Sequence, residues 1–170
     1  GLNITNNGTL IVNGKLEQPV VFMPNSRGQP WGGFIMRSGT GAINATGTIF
    51  TGSGSNQDWF GNNGNPGSHR DEQALFFVAN NQSITLTDCA AISLAGQLGH
   101  SVNGGTYNLT RFLTQRCTTG GEYTGANFTV NDSAFIEFPD DTINFVNGDN
   151  DALYFIGGVQ SFTNTLFGWT

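Results

Sequence analysis

Short apolar or β-rich runs recur along the whole chain, each bounded by Gly, Asn, Asp or Pro. They fall at Thr9–Val12, Val20–Met23, Gly33–Met36, Thr48–Phe50, Leu75–Val78, Ser83–Thr87 and Ala91–Leu94. They continue at Thr106–Leu109, Asn127–Val130, Ala134–Phe138, Ile143–Val146, Leu153–Ile156 and Ser161–Leu166. Runs of this length between turn formers predict strands, and no ten-residue stretch carries a helical apolar stripe. The expected class is therefore all-β.

A loose internal repeat overlays on these runs. Ile43-Asn-Ala-Thr46, Ile84-Thr-Leu-Thr87, Leu109-Thr-Arg-Phe112, Phe128-Thr-Val-Asn131 and Phe162-Thr-Asn-Thr165 share apolar, polar and again apolar or small positions, with starts 41, 25, 19 and 34 residues apart. A fixed-period array would be more regular. Unequal spacing suits a stack of coils with loops of variable length between them, in which like side chains form inward ladders. The alternative is an antiparallel β-sandwich. For that fold, the Asn-Gly pairs at Asn7, Asn13, Asn63, Asn103 and Asn147 supply hairpin turns.

Composition narrows the class. The 170 residues suffice for one domain, residues 1–170, with a real core. Apolar residues are 37 % of the chain and charged residues 11 %, which is neither a disordered composition nor one with material for exposed helix faces. Six basic residues against twelve acidic ones give a net charge of −6, so no basic stripe exists for a nucleic-acid backbone. No apolar run has the length of a membrane-spanning helix. Gly1 is not a usual translation start, so the chain is expected to be a processed or fragmentary segment of something longer. The polar, glycine-rich stretch 51–73 is expected to be a loop insertion, and long loops on rigid scaffolds are where binding concentrates.

Seven Asn-x-Ser/Thr triplets start at Asn3, Asn7, Asn44, Asn81, Asn108, Asn127 and Asn131, about twice the number such a composition gives by chance. They point to a secreted glycoprotein, or else mark what turn-then-strand sequences look like in this chain. Cys89 and Cys117 are the only cysteines, 28 residues apart. If that separation is one coil, they face each other on adjacent rungs and form a disulfide in an oxidising compartment, stabilising by about 3 kcal/mol. Otherwise they are buried free thiols.

The segment Gly8-Thr-Leu-Ile-Val-Asn-Gly-Lys-Leu-Glu-Gln-Pro-Val-Val-Phe-Met23, followed by Pro30-Trp-Gly-Gly-Phe-Ile35, resembles the N-terminal coils of right-handed parallel β-helix proteins, the pectin-lyase-like superfamily. Asn147-Gly-Asp-Asn-Asp-Ala-Leu-Tyr-Phe-Ile-Gly-Gly158 looks like a further coil. The resemblance implies a right-handed parallel β-helix with irregular coils and a long side loop. It says little about activity, because the superfamily holds lyases, hydrolases, adhesins and structural solenoids.

Enzymes of that superfamily use carboxylates on one face, in some cases with calcium. Asp140, Asp141, Asp149 and Asp151 form the acidic cluster, with Asp149 and Asp151 the candidate metal ligands. Their Pro-Asp-Asp and Asn-Gly-Asp-Asn-Asp settings are turn sequences first, and no catalytic set is assigned. Trp59 and Phe60 are the candidate glycan-stacking residues. His100 has a serine beside it but no third partner fixed by sequence, so it reads as structural. The leading expectation is an extracellular structural or interaction solenoid, joining copies of itself or neighbouring β-helix segments end to end. A polysaccharide lyase or glycoside hydrolase, or part of one, is an alternative. A non-catalytic glycan-binding module is another. No cofactor beyond calcium is expected.

Overall fold

A computed structural model describes residues 2–3, 7–26, 30–37, 39–54, 74–117, 119–138 and 152–168. Among them there is no helix, and the structure is all-β. A six-stranded sheet runs in the order β1 (Leu2–Asn3), β4 (Phe34–Met36), β7 (Ala74–Ala79), β9 (Gln97–Val102), β11 (Thr119–Thr124) and β14 (Tyr154–Ile156). A ten-stranded sheet has as its main path β15 (Gln160–Thr163), β12 (Asn127–Asn131), β10 (Thr106–Gln115), β8 (Ser83–Ile92), β5 (Ala42–Thr46) and β2 (Thr9–Asn13). Beside that path β3 (Val20–Phe22), β6 (Thr48–Thr51), β13 (Ala134–Ile136) and β16 (Leu166–Gly168) pair with one another or with the second halves of β8 and β10.

Every pairing between these strands is parallel. That corrects the antiparallel-sandwich alternative, since a two-residue hairpin cannot join parallel neighbours. Asn103-Gly104 instead turns a corner, with both residues at positive φ. The chain visits the small sheet, then the first and second halves of the large one, and repeats that order from β1 to β16.

Three kinds of corner link the faces, and each is a column of left-handed residues. The first bends the large sheet at Gly47, Asp88, Arg111, Asp132 and Asn164; the second ends it at Gly52, Ser93, Arg116 and Glu137. The third leaves the small sheet at Asn80, Asn103, Gly125 and Gly157. Left-handed backbone costs most L residues about 1–2 kcal/mol, so these columns are held by hydrogen bonds through the stack. Ser93 N donates to Gln115 O at 2.9 Å, and Asp132 N donates to Thr163 O at 3.0 Å. Corner side chains pair as well: Arg111 grips Asp88 with Nε to Oδ1 at 2.5 Å and Nη2 to Oδ2 at 2.8 Å. Arg116 meets Glu137 at 2.8 Å, and Asn164 Nδ2 donates to Asp132 Oδ1 at 2.7 Å.

Inward side chains stack column upon column. One column holds Leu10, Ile43, Ile84, Tyr107 and Phe128, and a second holds Val12, Ala45, Leu86, Leu109, Val130 and Phe162. The internal repeat is therefore part right and part shifted. Ile43, Ile84 and Phe128 share a column, but Leu109 and Phe162 belong one inward position further on. A slip of two residues keeps every side chain on its face, which is why the overlay could not detect it. Two aromatic groups fill the interior. Phe22, Trp31, Phe34, Phe50 and Phe76 pack at one end, with Phe34 on Phe76 at 5.6 Å. Tyr107, Tyr123, Phe128 and Phe155 pack towards the other, with Tyr107 on Phe128 at 4.4 Å.

No apolar run marks β9 or β11 in the sequence, because glycine and polar residues interrupt both strands, and the packing explains the glycines. A Cβ on Gly99 would stand 2.6 Å from Tyr123 Oη, and one on Gly121 would stand 2.0 Å from Gly99 O. The strands approach so closely there that side chains are excluded.

Candidate functional site

Three kinds of surface feature follow from this architecture among the described residues: two open strand edges, a polar face and an apolar face. Among the described residues, β1, β2 and β3 each have a strand partner on one side only, as do β14, β15 and β16 at the opposite end. Such edges present unpaired backbone N–H and C=O groups, a template for further strands. The exposed large apolar side chains gather at the same places. Ile11, Leu16, Val21 and Met23 lie on or beside the β2–β3 edge, and Tyr154, Ile156, Val159, Leu166 and Phe167 on or beside the β14–β16 edge. Val102 is the exception among the described residues.

The two edges fit each other column by column. Val21 and Leu166 occupy the same outward column, through Ile49, Ala90, Leu113 and Ala134. Phe22 and Phe167 occupy the same inward column. Phe22 stacks on Phe50 at 5.5 Å and Phe167 on Phe135 at 5.3 Å, so this column has an aromatic ring at each open end.

On the first half of the large sheet, the outward positions form three registered columns. These are Thr9, Ala42, Ser83, Thr106, Asn127; Ile11, Asn44, Thr85, Asn108, Thr129, Ser161; and Asn13, Thr46, Thr87, Thr110, Asn131, Thr163. None of these positions is charged. The second half differs, with the apolar column from Val21 to Leu166 facing outward. Between the halves, Lys15, Leu16, Pro19, Ile49, Ala90, Asp88 and Arg111 line a groove of about 370 Å³.

The sequons lie largely on this polar face. Asn44, Asn108, Asn127 and Asn131 stand on its columns. So do Thr9, Thr46, Ser83, Thr110 and Thr129, each two residues beyond the asparagine of a triplet. A triplet spaces Asn and Ser/Thr by two residues, which is also the outward repeat of a strand. A polar face built from Asn and Thr therefore generates such triplets without reference to glycans. Asn44 and Asn127 are exposed, Asn108 and Asn131 half-buried, and Asn7 and Asn81 sit exposed just before strands. Asn7 Oδ1 accepts from Thr40 N and Oγ1, and Asn127 Oδ1 accepts from Val159 N at 3.0 Å. Asn3 lies in β1.

The expected Cys89–Cys117 disulfide is absent: both cysteines are free and buried. The register supplies the reason. The residue registered with Cys89 on β10 is Phe112, not Cys117. Cys89 follows the first corner and Cys117 the second, so the sequence separation exceeds one circuit and places them on different sides. Each thiol has a local role instead. Cys89 Sγ donates to Thr87 O at 3.2 Å, as Thr48 Oγ1 does to Thr46 O, Ser133 Oγ to Asn131 O and Thr165 Oγ1 to Thr163 O. Cys117 Sγ lies 3.8 Å from Gln115 O at the second corner. Burial raises the Cys89 thiol pKa and pushes that of Cys117 up to about 12, keeping both protonated.

Asp88 is held below the usual carboxylate range by its bond to Arg111, which makes it an ion-pair partner. Burial raises Tyr107 and Tyr123, whose hydroxyls bond Ser101 Oγ and Gly120 O. His100 is buried and stacks on Phe77 at 5.8 Å. Among the described residues no three His, Cys, Asp or Glu side chains gather to hold a metal, and no helix is long and apolar enough to cross a membrane. Trp59, Phe60, Asp140, Asp141, Asp149 and Asp151 lie outside the described residues, as does most of the 51–73 stretch. Comparison with protein-family models, curated proteins and solved structures finds no match.

Proposed function

We propose that the chain is a right-handed parallel β-helix that acts as an extracellular structural or interaction element, adding coils end to end through its open edges. The observation that carries this reading is the pairing of exposed apolar side chains with unpaired strand edges at both ends of the stack. The repeated order of faces, with parallel pairing throughout, supports a solenoid. Parallel crossovers are right-handed in about 98 % of cases, which supports the hand. The extracellular setting follows from the sequence expectation.

The contact is heterologous. The β14–β16 edge of one copy, or of a neighbouring β-helix segment, meets the β1–β3 edge of the next, and each interior pair of coils is its template. Such a contact does not close on itself, so it propagates as a filament. Sedimentation velocity across a concentration series tests it. Average mass should rise with concentration, with elongated particles by negative stain. A single species of unchanging mass at all concentrations would overturn the assembly reading.

A further inference from the structure

We propose that the polar face of the first half of the large sheet binds ice. Its three outward columns repeat every ~4.8 Å from strand to strand and every ~6.6 Å between alternate residues along a parallel strand. The strand-to-strand repeat lies close to the short oxygen repeat on surfaces of hexagonal ice. Each position taken alone contributes little, because exchanging a water–water for a water–hydroxyl hydrogen bond is nearly neutral. A crystal surface can nevertheless engage many registered positions at once, whereas liquid water cannot.

Four observations favour an ordered water lattice over the ordinary solvated surface of a strand. The first is charge: every residue in the three columns is neutral, so no strongly hydrated ion interrupts the array. The second is stiffness. Threonine fills the columns at Thr9, Thr46, Thr85, Thr87, Thr106, Thr110, Thr129 and Thr163, and its branched side chain offers a hydroxyl and a methyl in few rotamers. Third, the adjoining face carries Val21, Ile49, Ala90, Leu113, Ala134 and Leu166 outward, so the pattern belongs to one face and not to the chain's composition. Fourth, the pairing path of the polar face runs without interruption from β2 to β15 among the described residues.

The lack of an aromatic side chain on these columns argues against a sugar ring as the occupant. In-register ladders also suit a flat surface, because side-chain ladders are a setting in which sheets lose twist. Glycans on Asn44 or Asn108 would stand in the middle of the array, so ice binding belongs to the unglycosylated face.

The test uses the full chain produced without glycosylation, in a nanolitre osmometer and an ice-affinity assay. The expected result is faceted ice, a gap between melting and freezing temperatures, and enrichment of the protein in the ice fraction. Thr85→Lys and Thr129→Lys should abolish the gap without lowering the thermal midpoint, while Leu113→Lys on the adjoining face should retain it. A folded wild-type protein that neither shapes ice nor enters it would overturn the proposal. So would full activity in both threonine variants, or binding to crystalline cellulose or chitin in place of ice. None of these readouts depends on end-to-end association, so the two proposals fail separately.

Discussion

Replacing Leu166 with aspartate tests the edge contact at its most sensitive point. Leu166 is 60 % exposed on β16 and lies in the column that begins with Val21, itself 46 % exposed. Burying a whole leucine side chain stabilises by about 1.5–3 kcal/mol, so covering the part still exposed is worth about 1–2 kcal/mol. Leu166→Asp forfeits that gain and places a carboxylate against an apolar neighbour, weakening association by at least ~5–30-fold at about 1.4 kcal/mol per tenfold. The fold should tolerate the change, because the side chain already faces solvent. Sedimentation would show the mass-against-concentration curve displaced to higher concentration, with an unchanged circular dichroism spectrum. The column also predicts a rescue. Adding Val21→Lys to Leu166→Asp sets opposite charges across the junction, an arrangement worth about 0.2–1 kcal/mol, whereas Val21→Asp sets like charges there. Association should be stronger in the lysine double variant than in the aspartate one. Equal behaviour of the two double variants, or no effect of Leu166→Asp, would refute the registered head-to-tail contact.

Other consequences concern the strands and corners themselves. Both thiols should resist thiol-specific reagents in the native protein and react once it unfolds, with no mass loss on mild oxidation; native labelling of Cys117 would contradict its burial. Because the Cys117 pKa is about 12 when folded and about 8.5 when unfolded, its contribution is complete below the unfolded value. It is lost as pH rises from roughly 9 through 12. Cys117→Ala should flatten that part of an alkaline stability profile. Ser93→Gly should raise stability by about 0.5–1 kcal/mol, since relief of left-handed strain outweighs the backbone entropy of glycine. That corresponds to about 1–4 °C in thermal midpoint for a chain of this size, and a fall would contradict the corner geometry. Gly121→Ala should instead destabilise strongly in a denaturant melt, because its Cβ would meet Gly99 O at 2.0 Å at a φ of +113°.

Much of the fold was legible in the chain. The runs at Thr9–Val12, Val20–Met23, Thr48–Phe50, Leu75–Val78 and Asn127–Val130 fall on β2, β3, β6, β7 and β12, because turn formers punctuate them. The all-β class follows from such runs and from the lack of a helical stripe. Register was not legible. A strand's side chains repeat every two residues, so Leu109 and Phe162 look equivalent one step out of place, and only pairing with neighbouring strands fixes the step. Corners were hidden for a different reason. Asp88, Ser93, Arg116 and Glu137 adopt left-handed backbone because stacked hydrogen bonds hold them, and arginine and glutamate carry no turn signal.

The sites divide in the same way. Sequence alone determined that Asn and Thr alternate with apolar residues, and hence that Asn-x-Thr triplets abound. Tertiary structure decided that these positions line up across β2, β5, β8, β10, β12 and β15 as one uncharged face. It also decided that Cys89 meets Phe112 instead of Cys117, since the length of each circuit is set by its corners and loops. The strand edges likewise became visible only once parallel pairing had used up the inner side of β2 and β16. Local chemistry chose the strands; the stacking of one circuit on the next chose which residues meet.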